Sequence, residues 1–249
     1  MFLPPPYRNC HSELVSSSHN LKESAGLPRY ARNDAHAFSL AEILITLVII
    51  GVIAAITVPS LINKTNNQEY VSRLKKVYSV LAQATNQIIA EEGTPRADKG
   101  GWASSTLNVY SLYKKKLIDA QDCSDAKGCV LQGKLKYLDN SGTTATDFSQ
   151  ENISFRKLVL NDGTQVVFDE INGECNATSM QDTDICAFLF VDVNGSRKPN
   201  TLGRDVFYFI IKEKGLYPRG CADGYCNGPE NAKGVGCGCK VLREGAMNY

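Results

Sequence analysis

Histidine is nearly missing from this 249-residue chain. There are three, His11, His19 and His36, and all of them precede the one long apolar run. From residue 37 onward there is none. That excludes Ser-His-Asp and Cys-His nucleophilic catalysis there and removes the commonest metal ligand. A charge excess of either sign is missing as well. Lys plus Arg number 27 and Asp plus Glu 26, and residues 1–37 hold four and three of these, leaving 23 of each beyond. Balanced charge leaves no electrostatic footprint for nucleic acid or for an anionic membrane surface. The run Lys114-Lys115-Lys116 reads as a solvated helix end. Tryptophan occurs once, as Trp102, and the scattered tyrosines form no stacking platform. No Gly-rich phosphate loop and no helical metal motif is present. The expectation is a protein that is not an enzyme, although carboxylate chemistry stays formally open.

What is present is a stretch of 21 residues, 38–58, apolar throughout except for one carboxylate, Glu42. About 20 apolar residues let a helix cross a bilayer. A charge within such a segment is costly unless paired, which marks Glu42 as functional by default. A secretory signal fits poorly, because its cleavage site follows the apolar region, whereas Ala35-His36-Ala37 precedes it.

The run Ala37-Phe38-Ser39-Leu40-Ala41-Glu42 resembles the processing site of type IV pilins and type II secretion pseudopilins. Glu42 is the fifth residue from Phe38, and Pro59 is the twenty-second, where that family also tends to carry proline. The resemblance covers roughly residues 37–93. It departs from the pattern in having Ala37 where glycine is usual before the cut. It implies that a prepilin peptidase cleaves between Ala37 and Phe38 and methylates the new amine of Phe38. It also implies that the helix stacks with copies of itself as a filament core. Glu42 is then buried, and an unpaired buried carboxylate is untenable. The amine of a neighbouring subunit is its natural partner, which makes Glu42 a registry element for assembly.

Residues 1–37, with three successive prolines and many serines, cannot build a core and are expected to be a disordered leader. From residue 59 to 93 the helix should continue in amphipathic form, since Val71, Leu74, Val77, Tyr78, Leu81, Ala84, Ile88 and Ile89 trace one stripe. It should end at Gly93 before Pro95. Pro59, with Gly51 upstream, predicts a bend or a locally opened turn. Residues 107–118 suit a short second helix. Residues 153–160 and 164–171, joined by Asn161-Asp162-Gly163, carry a hairpin signal. Residues 187–193 and 205–212 read as two further strands, and 215–249 as a loop-like, Cys-rich tail. The fold class expected is α+β: a long N-terminal transmembrane helix packed on an antiparallel sheet, with residues 94–249 as the globular extracytoplasmic domain.

Of nine cysteines, eight lie beyond the apolar segment. An even number in an exported domain reads as a disulfide framework. Cys123 with Cys129 and Cys175 with Cys186 are local pairs. Cys221, Cys226, Cys237 and Cys239 allow three connectivities. A Cys237–Cys239 bond is strained, which leaves the two in which each of that pair reaches back to Cys221 or Cys226. A four-cysteine zinc site is the rival, but its spacing departs from the usual knuckles. No cofactor is required. Asp192, Asn194 and Asp205 offer oxygen ligands for calcium, yet the alternating ligand run and closing glutamate of a calcium loop are missing. A turn between strands explains the same residue types.

The function expected is a structural subunit of a type IV pilus or type II secretion pseudopilus. Its partners are the prepilin peptidase, other pilin or pseudopilin subunits and the inner membrane. It is expected to cross that membrane once, with its domain extracytoplasmic. The alternative is a membrane-anchored binding module, adhesin-like or calcium-dependent, for which the helix is a mere anchor.

Overall fold

Helix α1 (Leu40–Glu92) runs through both regimes of the sequence, fully apolar and then amphipathic. The computed structural model describes residues 39–123, 131, 133–148, 155–179, 182–221, 226 and 233–249. The expected leader, with Ala37 and Phe38, lies outside them, as do Cys129 and Ile153. The chain divides into two units, one ending at Ile50 and the other beginning at Gly51.

In the first unit, Leu44, Leu47, Val48 and Ile50 are all more than half exposed. The helix stands there on its own hydrogen bonds, without a packed apolar face. In the second unit α1 stays helical through Pro59. The missing N–H of Pro59 leaves the carbonyl four residues back without its helical donor. One turn ahead, the Thr57 hydroxyl donates to the Ile53 carbonyl at 2.9 Å. From Tyr70 onward the stripe is buried: Leu74, Leu81 and Ile88 have no exposed surface, each contributing about 1.5–3 kcal/mol. The helix ends at Glu92, and Gly93 turns away with φ of 82°.

Helix α2 (Thr106–Lys116) is capped by Ser105, whose hydroxyl accepts the Asn108 N–H. Among the described residues nine strands follow: β1 (Gln121–Asp122), β2 (Lys134–Lys136), β3 (Thr143–Asp147), β4 (Arg156–Val159), β5 (Gln165–Ile171), β6 (Ala177–Ser179), β7 (Asp182–Asp192), β8 (Val206–Lys212) and β9 (Gly215–Pro218). Seven make one antiparallel sheet in the order β1-β4-β5-β7-β8-β9, with β6 pairing the start of β7 beside β5, and β2–β3 forms a separate hairpin. The chain closes with α3 (Cys237–Glu244).

Register sorts the sheet's side chains by face. Leu158 stands opposite Val166, Val166 opposite Val191, and Val191 opposite Phe207. This row joins the core shared with α1 and α2. Tyr78 of α1 stacks on Phe209 at 5.7 Å, and Tyr110 and Tyr113 of α2 meet Phe168 at 5.9 and 5.2 Å. The alternate row, Val167, Phe190 and Val206, packs on the other face against Leu131, Leu135 and Phe148 at the hairpin. Phe148 meets Phe190 edge-on at 4.9 Å. The sheet is thus covered on both sides, which the expected helix-on-sheet packing did not include. The physical reason lies in β7 and β8, whose apolar runs do not alternate with polar residues, as befits strands buried on both faces.

The tail expected to be loop-like needs correction. Residues 215–218 are a strand paired to β8, and residues 237–244 are a helix. Cys221 bonds Cys239 and Cys226 bonds Cys237, so both cysteines at the start of α3 are tied back. Val241 then reaches the main core. A four-residue strand and a helix of about two turns carry little periodicity, which is why they read as loop.

Candidate functional site

Two places hold the residues singled out by the sequence. The first is the start of α1. The Ser39 N–H donates to Glu42 Oε2 at 2.9 Å, and the Glu42 N–H donates to Ser39 Oγ at 3.2 Å. This reciprocal pair is a capping box, which satisfies two of the backbone donors that a helix start leaves open. Glu42 therefore has a partner within its own chain, and its carboxylate sits at the positive end of the helix dipole. Sequence reasoning missed Ser39, although serine followed three residues later by glutamate is the signature of this cap. Gly51 lies within α1, and apart from its own helical backbone and chain neighbours nothing comes within 4 Å of where a Cβ would stand. The side chains of Ile43, Leu44, Ile53 and Leu61 remain exposed.

The second place is the connection between β7 and β8, and it brings Asp192, Asn194 and Asp205 together. Asp192 is 1 % exposed, Asn194 4 % and Asp205 0 %. The Asn194 N–H donates to Asp192 Oδ1 at 3.0 Å. Asp205 accepts the Asn194 side-chain amide at 2.9 Å, the Asn200 N–H at 2.8 Å and the Thr201 N–H at 2.6 Å. Burial raises the pKa of Asp205, opposed by these backbone donors. Burial also pushes Asp192 up to about 8, with the charge of Asp205 adding to it. Three oxygens in this connection are buried without a hydrogen-bond partner: Asp192 Oδ2, Asn194 Oδ1 and Asn200 Oδ1. Among the described residues no three Cys, His, Asp or Glu side chains gather as a metal cluster, so any ion there would rely on amide oxygens.

The connection also grips α1. The Asn194 amide donates to the Tyr70 hydroxyl at 3.3 Å, and Arg73 donates to the carbonyls of Asp162 and Val193 at 3.2 and 3.3 Å. Glu69 pairs with Arg73 at 2.9 Å and with Arg197 at 3.2 Å. Arg204 reaches Asn63 at 3.3 Å, and the Tyr249 hydroxyl donates to the Gly203 carbonyl. Gly195 adopts φ of 72°, and a Cβ there would lie 2.7 Å from the Gly163 carbonyl oxygen, so the two strand-connecting turns touch through glycine. Asn200, Tyr70 and Arg73 were not foreseen as neighbours of the carboxylates. They stand five or more residues away from them along the chain, and nothing local marks them.

The other singled-out residues are structural. Cys175 bonds Cys186 at 1.99 Å. Cys123 is disulfide-bonded, whereas its expected partner, Cys129, lies outside the described residues. Trp102 is buried, and its Nε1 donates to the Gly93 carbonyl at 3.1 Å.

A helix of this length and apolarity, opened by a capped glutamate and followed by an α+β domain with disulfides, fits a membrane-anchored protein. Among the described residues one helix is long and apolar enough to cross a membrane. Residues 32–58 match the family described as the prokaryotic N-terminal methylation motif. The match ends within α1 and is consistent with a type IV pilin-like protein. Such a motif implies processing by a prepilin peptidase and assembly with other pilins. No curated protein and no solved structure matches the chain.

Proposed function

We propose that this chain is a structural subunit of a type IV pilus or type II secretion pseudopilus, anchored in the inner membrane by α1 and assembled through it. The observation that carries this reading is the methylation motif at residues 32–58 running directly into an apolar helix whose large side chains are exposed. Exposed leucines and isoleucines on a helix with no packed partner suit lipid first and neighbouring helices afterwards. In that environment Glu42 keeps one oxygen on the Ser39 N–H. The other is available to the methylated amine of an adjacent subunit, and such a pair fixes the stagger between subunits. The domain beyond α1, on the extracytoplasmic side, faces outward from the helix core. The chain acts as a scaffold rather than an enzyme, in keeping with the absence of histidine after His36.

Mass spectrometry of the native protein's N-terminal peptide tests this. The expected result is a chain that begins at N-methylated Phe38. An intact N-terminus, or a cut after Val58, overturns the reading and leaves the membrane-anchored binding module in its place.

A further inference from the structure

Four stretches of the chain spell Asn-Xaa-Ser/Thr: Asn63-Lys64-Thr65, Asn152-Ile153-Ser154, Asn176-Ala177-Thr178 and Asn194-Gly195-Ser196. That spelling is the acceptor for an N-linked sugar on an exported protein, and it serves only where the amide is exposed. The fold separates the four. Asn152 lies outside the described residues. Asn63 stands in α1, where residues two apart point to different sides, and its side-chain oxygen accepts from Arg204. Asn194 is 4 % exposed, and its amide is spent on Asp205, Tyr70 and the Lys198 carbonyl. Of the three described, only Asn176 stands exposed outside a helix, with Thr178 exposed two residues on.

We propose that Asn176 is an N-glycosylation site, to which a membrane-bound transferase passes an oligosaccharide from a polyprenyl diphosphate carrier. The step is a displacement at the anomeric carbon of the first sugar. A bond forms from Asn176 Nδ2 to that carbon. The carbon–oxygen bond to the diphosphate breaks, and its electron pair stays on the leaving oxygen. One Nδ2 hydrogen departs as a proton to a carboxylate of the transferase, and nothing is oxidised or reduced.

The three side chains alternate as a strand dictates. Ala177, the first residue of β6, stands opposite Ile185 and packs against the cluster of Ile185, Phe188 and Ile210. Asn176 and Thr178 face outward together, so one enzyme pocket can read an amide and a hydroxyl two residues apart. Among the described residues β6 pairs with β7 alone, which leaves its other edge open to approach. The turn before it is firmly built. Cys175, with φ of 53°, is bonded to Cys186, and its N–H donates to the Asn172 carbonyl at 2.9 Å. The Asn172 amide donates to Asn176 Oδ1 at 2.9 Å, and Asn176 Nδ2 donates to Glu174 Oε2 at 2.7 Å. The acceptor amide is thus aimed in advance, one hydrogen held by Glu174 and the other left for removal. A sugar here also blunts the open edge against pairing with a second sheet. That the domain meets such a transferase rests on its proposed extracytoplasmic placement. The exposure and aim of Asn176 do not.

Peptide mass spectrometry of the protein purified from its native cells tests this. The expected result is a peptide whose mass is raised by whole sugar residues, with fragmentation placing them on Asn176 and leaving Asn63 and Asn194 bare. Thr178→Ala should remove the sugar and Thr178→Ser should keep it. Recovery of the Cys175–Cys186 bond in both variants shows that the turn still folds. A bare Asn176 in the native protein overturns the proposal, as does a sugar found instead on Asn63, on Asn194 or on a hydroxyl. A sugar that persists in Thr178→Ala overturns it too. The N-terminal peptide of the same digest reports on the pilin-like reading separately. A bare Asn176 beside N-methylated Phe38 sinks this inference alone, and a glycosylated Asn176 beside an intact N-terminus sinks that reading alone.

Discussion

Raising the pH from 5 to 8 should weaken the folded domain, and Asp192→Asn should abolish most of that weakening. In the folded chain Asp192 holds its proton up to about pH 8, against an ordinary value of 3.8. Between those values the folded state binds a proton that the unfolded state has released. Stability is then full below about pH 4 and is lost as the pH climbs through 4 to 8. The slope is about 1.4 kcal/mol per pH unit, and the accumulated loss by pH 7 is about 4 kcal/mol. Asp205, raised in the same direction, adds to it. Asp162, held low despite its burial by hydrogen bonds from Lys76 and Thr164, acts with the opposite sign but at more acidic pH. Guanidinium titrations at pH 5, 6, 7 and 8, with disulfides intact, can be read by the fluorescence of the single buried Trp102. The wild-type unfolding free energy should fall steadily, while that of Asp192→Asn stays nearly level and exceeds wild type at pH 8. A wild type that is flat or rising over this interval, or a variant that tracks it, would refute the reasoning.

Three further outcomes can be checked independently. Glu42→Ala should insert into membranes as well as wild type or better, since a charge within the apolar segment is gone. It should nevertheless lose crosslinking between cysteines engineered into adjacent α1 helices, and undiminished crosslinking would show that Glu42 has no part in registry. Digestion without reduction should recover Cys175–Cys186, Cys221–Cys239 and Cys226–Cys237, and opening Cys175–Cys186 by a double serine variant should cost about 2–4 kcal/mol in a denaturant titration. Gly234→Ala should destabilise by at least about 2 kcal/mol, because φ there is +84° and the new Cβ would stand 2.0 Å from the Leu202 carbonyl oxygen. A melting temperature equal to wild type would contradict that geometry.

Much of this molecule follows from its order of residues alone. The apolar length of 38–58, the position of Glu42 and the three-and-four spacing from Val71 to Ile88 are properties of a single helix, and a helix is a local object. The hairpin around Gly163 and the pairing of Cys175 with a neighbour 11 residues away are equally local. The capping box was legible too, in Ser39 and Glu42, though it went unread. Tertiary structure alone decided the rest. Only the sheet register could place Val167, Phe190 and Val206 on a second face and give the β2–β3 hairpin something to cover. Only the fold could choose between the two tail connectivities, because Cys221 and Cys226 are equally free to reach Cys237 or Cys239 until α3 docks. And the burial of Asp192 beside the charge of Asp205 is set by how the whole β7–β8 connection packs. Desolvation is set by everything that surrounds a group, and a linear sequence does not state what surrounds it.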